Sequence, residues 1–168
     1  EKVKRLVLFE SLGPFARADD EVPDIVAERL KGRDYVEIPF PHETLESAAK
    51  SLQKTFPLIP DKAAMHMARH GTSFKGDRYR WKHDPILRYR TTTAMSEGQI
   101  EAFIRRLQCP ILFVYGTESD FMKSVRGRRA QLFPNAQIVP VEGAGHHIPH
   151  EKPEELAEIV VPFLMNGK

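Results

Sequence analysis

The chain has 168 residues, of which 41% are hydrophobic, and this is enough for one globular domain with a core of its own. Its 25 basic and 23 acidic residues nearly balance, so the charge does not favour nucleic acid as a partner. No apolar run approaches the about 20 residues of a membrane span or follows a charged start, so no membrane partner is expected. Cys109 is the only cysteine and cannot form an internal disulfide, which predicts a reducing, cytoplasmic location.

The first half of the chain is predicted to form one strand followed by helices. Residues 6–9, "LVLF", are an unbroken apolar run, as in a strand that is covered on both faces. Apolar residues at helical spacing follow over 19–55, where Thr44 is expected to open a second helix, and a third helix is predicted over 61–70. Two glycines, basic residues and aromatic residues then indicate loops or a hairpin over 71–90.

The final third alternates helices and strands. Ser96 and Gln99 form a capping-box pattern ahead of an apolar stripe, so a helix is predicted to begin near Ser96. The segments "PILFVYG" and "AQIVPVEG" are predicted strands, with a basic helix over 124–133 between them and a last helix from Pro153. Strands that alternate with helices in this order predict an α/β fold with a parallel sheet.

Candidate catalytic residues follow these two strands. Glu118 and Asp120 lie in "YGTESDF" after the first strand, and His146 lies in "GAGHHIP" after the second. Loops beyond the carboxyl ends of parallel strands meet at one edge of the sheet. An acid and an imidazole there form two thirds of a nucleophile, base and orienting-acid system.

The stretches "PILFVYGTESDF" and "FPNAQIVPVEGAGHHIPHEKPEELAEIVVPFL" resemble the C-terminal part of an α/β-hydrolase, and "RHGTSFKGDRYRWKHDPILR" is similar to the serine hydrolase-like proteins in particular. The resemblance implies that Asp120 is the catalytic acid and His146 the catalytic histidine. It also implies that residues 1–13 and 96–168 belong to the hydrolase core, beginning at its sixth strand, and that residues 14–95 form a lid.

The nucleophile of this family lies in a Gly-x-Ser-x-Gly elbow upstream of the sixth strand. The 168 residues contain no such motif, and the nearest string, "GTSFKG" at 71–76, has a misplaced second glycine and follows a predicted helix. The sequence therefore resembles a chain cut from a longer one. The expected partners are an acyl substrate and either the missing N-terminal half or a second copy, bound through an exposed sheet edge.

Several residues keep alternative interpretations. Glu10 ends the first strand, where some relatives place their acid, and it could replace Asp120; Glu118 is a third possible acid. A substrate-binding role is predicted for three further residues: His147, Trp81 and Phe121. No cofactor is expected, and no metal, because the helical pair His66 and His70 has no evident third ligand.

Two functions of different classes remain open. The first is a serine hydrolase of carboxylic esters or related acyl compounds, in which this chain alone is inactive because the nucleophile is missing. The second is a truncated, non-catalytic binding or assembly module derived from an α/β-hydrolase. An elbow motif upstream of Glu1 would favour the enzyme.

Overall fold

A computed structural model describes residues 3–30, 41–84, 95–121 and 123–165. They divide into two compact units, the first made of Glu1–Asp19 with Met95–Lys168 and the second of Asp20–Ala94. The sequence pattern over 85–90 lies outside the described residues. In chain order the elements are β1 (Leu6–Phe9), α1 (Val22–Leu30), α2 (Leu45–Thr55), α3 (Asp61–Gly71), β2 (Thr72–Lys75), β3 (Arg78–Trp81), α4 (Glu97–Ile104), β4 (Ile111–Gly116), α5 (Lys123–Ala130), β5 (Ala136–Val141), α6 (Ile148–Glu151) and α7 (Pro153–Met165).

The first unit is built on a parallel sheet. Within the described ranges the strand order is β1-β4-β5, with Leu6 opposite Ile111 and Ile111 opposite Ala136. β4 is the central strand, and this agrees with its sequence, since its apolar residues run without the polar alternation of a half-exposed strand. The predicted α/β fold with a parallel sheet is confirmed.

Alternate residues of β4 pack into two separate cores, one on each face of the sheet. Ile111 and Phe113 point to a core that includes Ile100 and Ile104 of α4. Leu112 and Val114 point to the opposite core, which includes members of α6 and α7: Ile148, Leu156 and Phe163. The sheet is thus covered on both faces, and Val141 at the end of β5 packs in the same core as α6 and α7.

The second unit contains α1, α2, α3 and a hairpin of β2 and β3. α2 and α3 face each other through small buried side chains, Ala48, Ala49, Ala64 and Ala68. Thr44 caps α2 as predicted, because its hydroxyl accepts a hydrogen bond from the Ser47 N–H at 3.1 Å. β2 and β3 are antiparallel, so the "GTSFKG" string forms the end of a helix and a hairpin strand. None of the helices in the described ranges is long and apolar enough to cross a bilayer.

Candidate active site

Glu10 lies directly after β1, at the carboxyl end of the sheet. Its backbone has φ 52°, in the left-handed region, and its side chain is buried, with 2% of the residue exposed. A non-glycine residue in this conformation costs of order 1–3 kcal/mol, and strained residues cluster at functional sites. A buried carboxylate also requires partners. Both properties indicate that the surrounding structure holds Glu10 in one place.

The Glu10 carboxylate is the centre of a polar cluster. The Gly116 N–H donates to its Oε1 at 2.6 Å, and the Ser119 hydroxyl donates to its Oε2 at 2.5 Å. The Ser119 oxygen in turn accepts the Phe121 N–H at 3.2 Å. His146 Nδ1 lies 3.6 Å from the same Oε2. The loop after β4 therefore fixes the acid, and the acid faces the histidine.

His146 lies in the loop after β5, with its side chain 30% exposed. The ring of Phe121 packs on it, with 4.0 Å between the ring centroids. The 3.6 Å separation from Glu10 is longer than a hydrogen bond, and a movement of about 0.5 Å would bring the pair into range. Catalytic hydrogen bonds are often longer before substrate binds. Nδ1 is therefore the ring nitrogen directed at the acid.

The loops after β4 and β5 approach each other closely, and Gly116 permits the contact. A Cβ atom at Gly116 would lie 2.2 Å from the Ala144 carbonyl oxygen and 2.5 Å from that of Gly145. Backbone hydrogen bonds join the same loops, from Glu118 N–H to the Ala144 carbonyl at 2.9 Å and from Gly143 N–H to the Thr117 hydroxyl at 2.9 Å. The position of His146 therefore depends on a glycine.

Asp120 does not occupy the position expected of the orienting acid. Its side chain is 87% exposed, and its carboxylate pairs with Lys123 Nζ at 2.8 Å. The hydrogen bond from Lys123, together with the lysine charge, holds the pKa of Asp120 below its usual value. In the structure Glu10, and not Asp120, is the acid placed against His146. The physical reason is that the loop turns Ser119 inward, so its neighbour Asp120 faces solvent.

The remaining predicted residues lie in different surroundings. Glu118 is exposed, which leaves it outside the buried cluster. His147 is half-buried with its ring 5.2 Å from that of His146, and burial, followed by the neighbouring imidazoles of His146 and His150, lowers its pKa. Trp81 belongs to the second unit, where its indole N–H donates to His42 Nε2 at 3.3 Å.

His66 and His70, the pair with metal-ligand spacing for which no metal is expected, lie on α3. The His66 and His70 rings pack 4.4 Å apart, and no group of three or more histidine, cysteine or acidic side chains in the described ranges is arranged to hold a metal ion.

Sequence reasoning missed two polar residues of this site. No role is predicted for Ser119, which lies between Glu118 and Asp120, although a small hydroxyl between two charged residues could have indicated an inward-facing position. Glu151, which precedes the predicted last helix, has no predicted role. It accepts hydrogen bonds from backbone N–H groups beside His146, those of Gly145 and His147. No pattern in one sequence identifies that contact.

Residues 3–159 match the family model described as the Alpha/beta hydrolase family. The chain belongs to this family. The parallel sheet, with its acid and histidine at one edge, is the part of the α/β-hydrolase fold that these residues supply.

Several individual proteins resemble this chain at low sequence identity. A serine hydrolase-like protein of Dictyostelium discoideum is 21% identical over 182 residues, covering 99% of this chain and 50% of the relative. A thioesterase domain from the curacin biosynthetic pathway is 21% identical, with a TM-score of 0.73, and the match covers 95% of this chain and 58% of that one. A hypothetical protein from Pseudomonas aeruginosa PAO1 gives a TM-score of 0.76 at 22% identity, covering 96% and 58%. This chain therefore spans about half the length of the curated relative it matches.

Proposed function

We propose that this α/β-hydrolase chain supplies the acid and the base of a serine hydrolase that cleaves carboxylic esters or related acyl compounds. One observation carries the proposal: the buried Glu10 carboxylate, fixed by two donors, lies 3.6 Å from His146 Nδ1 at the carboxyl end of the sheet. The names of two relatives, a serine hydrolase-like protein and a thioesterase domain, give further support for acyl chemistry.

In the proposed reaction, His146 Nε2 accepts the proton of a serine hydroxyl as the serine oxygen attacks the acyl carbonyl carbon. The same proton passes to the leaving oxygen or sulfur when the tetrahedral intermediate collapses to an acyl-enzyme. A water molecule then attacks the acyl-enzyme and gives its proton to His146 Nε2. That proton passes to the serine oxygen as the carboxylic acid product is released. Glu10 keeps Nδ1 protonated and stabilises the imidazolium that forms in each step.

The serine itself is proposed to come from sequence outside these 168 residues. A nucleophile elbow requires Gly-x-Ser-x-Gly between a strand and a helix, and the chain has no such motif. Ser73, in the nearest string, lies in hairpin strand β2, pairing with Arg80. The 168 residues alone are therefore expected to show no ester turnover above background.

The exposed edge of β1 is the proposed docking surface for the segment that carries the serine. Leu6 and Glu10 donate their N–H groups to residues around β4, which turns the backbone groups of Val7 and Phe9 to the other side. Beside that edge lies a cavity of about 370 Å³ with an almost wholly apolar lining, including Leu6, Leu8, Leu12, Phe103, Ile104 and Leu107. Such an edge binds another strand readily.

The proposed occupant is a nucleophile-bearing segment that adds an apolar strand to β1 and packs a helix in the cavity. The relative's additional length, about half of its chain, supports this occupant over a second copy. Sedimentation should show the isolated 168 residues self-associating at micromolar concentration. The same residues joined to the segment should remain monomeric. A stable isolated monomer would contradict this docking surface.

Substrate contacts are also proposals. Phe121, packed on the His146 ring, and His147 are the residues of the first unit expected to contact an acyl compound. Trp81, in the second unit, is proposed to act from a lid formed by residues 14–95.

The test uses a longer protein, referred to below as the joined protein, in which these residues are placed after a segment that carries Gly-x-Ser-x-Gly. Fluorophosphonate should label one serine in the elbow, and a simple ester should be hydrolysed. His146→Ala should reduce turnover by about 10⁴-fold or more without changing the thermal midpoint greatly. Absence of both labelling and turnover in the folded joined protein would instead support the non-catalytic module. Labelling of Ser73 in the isolated chain would contradict the external nucleophile.

A further inference from the structure

The backbone on both sides of His146 is held by one carboxylate. Glu151 Oε2 accepts the Gly145 N–H, and Glu151 Oε1 accepts the His147 N–H at 3.0 Å. These two amides belong to the residues directly before and after His146. One side chain thus holds the Ala144–Gly145 and His146–His147 peptide groups, of which the second directly adjoins the His146 Cα.

Glu151 is itself held firmly. It is the last residue of α6, and its own N–H donates to the His147 carbonyl at 3.0 Å, which closes a ring of backbone and side-chain contacts. Ile148, at the start of α6, is fully buried, and Leu156 of α7 packs in the same core. The carboxylate therefore connects the histidine loop to the most buried part of the first unit.

The two contacts are of the stronger kind of hydrogen bond. A carboxylate that accepts backbone N–H groups forms charge-assisted bonds, and two such bonds from one group fix direction as well as distance. His146 must bring Nδ1 to Glu10 and Nε2 to a substrate at the same time. Small errors in such positions cause large losses of rate.

We propose that Glu151 is a positioning residue for His146, holding the histidine loop so that the imidazole meets Glu10. The catalytic part of this inference rests on the proposed function, whereas the loop geometry does not. Glu151 is outside the reacting atoms, so its loss should lower kcat and leave KM nearly unchanged.

The experiment compares Glu151→Gln and Glu151→Ala in the joined protein. Glutamine keeps one acceptor oxygen and can hold one amide, whereas alanine holds neither, so the two changes should be graded. We expect hydrogen exchange of the Gly145 and His147 amides to accelerate at least tenfold in Glu151→Ala and less in Glu151→Gln. In the same order, kcat should fall by about 100-fold and about 10-fold, the range found when the groups that orient metal-binding histidines are removed.

The matched control is Glu154→Gln, an exposed acid in the next helix, which should change neither measurement. If Glu151→Ala fails to fold, the isosteric Glu151→Gln alone decides the question. Unchanged amide exchange in a folded Glu151 variant would overturn the inference, and so would faster exchange with unchanged kcat.

Failure of the proposed function is separately visible, because the wild-type joined protein would then show no turnover. In that case the NMR signals of the His146 ring decide the positioning role. Broadened or doubled signals in Glu151→Ala, with unchanged signals in Glu154→Gln, would support it. A single sharp wild-type signal in Glu151→Ala would overturn it.

Discussion

The end of β1 and the loop after β4 each carry an acid, and the two acids, Glu10 and Asp120, differ in exposure, backbone conformation and partners. Glu10 is 2% exposed, has a left-handed backbone and satisfies its oxygens with Gly116 and Ser119. Asp120 is 87% exposed and pairs with Lys123. The spacing of the loop motif selects Asp120, whereas burial and contacts select Glu10.

The difference teaches that, in the proposed function, the acid that orients the histidine is recognised by its burial and by its hydrogen-bond donors. An exposed ion pair such as Asp120 with Lys123 is worth little, because water screens it and both side chains must be ordered. A buried carboxylate with fixed donors needs no reorganisation when the imidazole becomes charged. The same contrast is seen within one loop, because Ser119 faces the buried Glu10 whereas its neighbour Asp120 faces solvent.

The largest effect should come from replacing Glu10 by its amide in the joined protein, with the corresponding change at Asp120 as the comparison. Glu10→Gln can present its NH₂ group as a donor to His146 Nδ1. This favours the tautomer with Nδ1 unprotonated, so kcat should fall by about 10³-fold to 10⁴-fold. Asp120→Asn should stay within about threefold of the wild type. Ester turnover at saturating substrate measures both. The reverse ranking would restore Asp120 as the acid.

A second change tests the close approach of the loops after β4 and β5, which places His146 beside Glu10. Gly116→Ala places a methyl group 2.2 Å from the Ala144 carbonyl oxygen, so it should destabilise the fold by about 3 kcal/mol or more. Gly127→Ala is the control: its Cβ meets nothing within 4 Å in helix α5, and alanine there should stabilise by about 0.5–1 kcal/mol. Denaturant unfolding of the joined protein gives both values. Equal stabilities would contradict the packing described.

A smaller effect is expected from removing the Ser119 hydroxyl, which donates to Glu10. Ser119→Ala leaves one oxygen of Glu10 without its 2.5 Å donor and should cost about 1–3 kcal/mol of stability. Its kcat should fall less than that of Glu10→Gln. Ser11→Ala, at an exposed position, should stay within about 0.5 kcal/mol. A Ser119→Ala protein as stable as Ser11→Ala would show that the hydroxyl does not support Glu10.

The smallest effect concerns acid sensitivity on the histidine side. Burial, and then the neighbouring histidines, lower the pKa of His147 below its ordinary value of 6.5. Between the folded and unfolded pKa values, the unfolded chain binds more protons at His147 than the folded chain. The free energy of unfolding is therefore highest above about pH 6.5, and it decreases as the pH falls toward the folded pKa. In His147→Gln the loss between pH 8 and pH 5.5 should be smaller than in the wild type. Thermal midpoints at the two pH values measure the difference, and equal losses would exclude His147 as the cause.

Much of the fold was predictable because its signals are local. Unbroken apolar runs indicated β1 and β4, and Thr44 indicated the start of α2. The four-residue α6 was not predicted, because its two sides face different surroundings and so short a segment has no period. At the site, the sequence predicted His146 but ranked Asp120 above Glu10. Which acid turns inward depends on contacts between residues more than 100 positions apart, such as Ser119 with Glu10, and a single sequence does not encode these visibly.

The most direct test of the Glu10–His146 pair is proton NMR of the joined protein at low temperature, observing the ring N–H signal of His146 Nδ1. A hydrogen bond to a carboxylate moves this proton far downfield and protects it from exchange with water. The signal should be present in the wild type and in Asp120→Asn and absent in Glu10→Gln. A downfield signal that persists in Glu10→Gln and disappears in Asp120→Asn would contradict the pairing of His146 with Glu10.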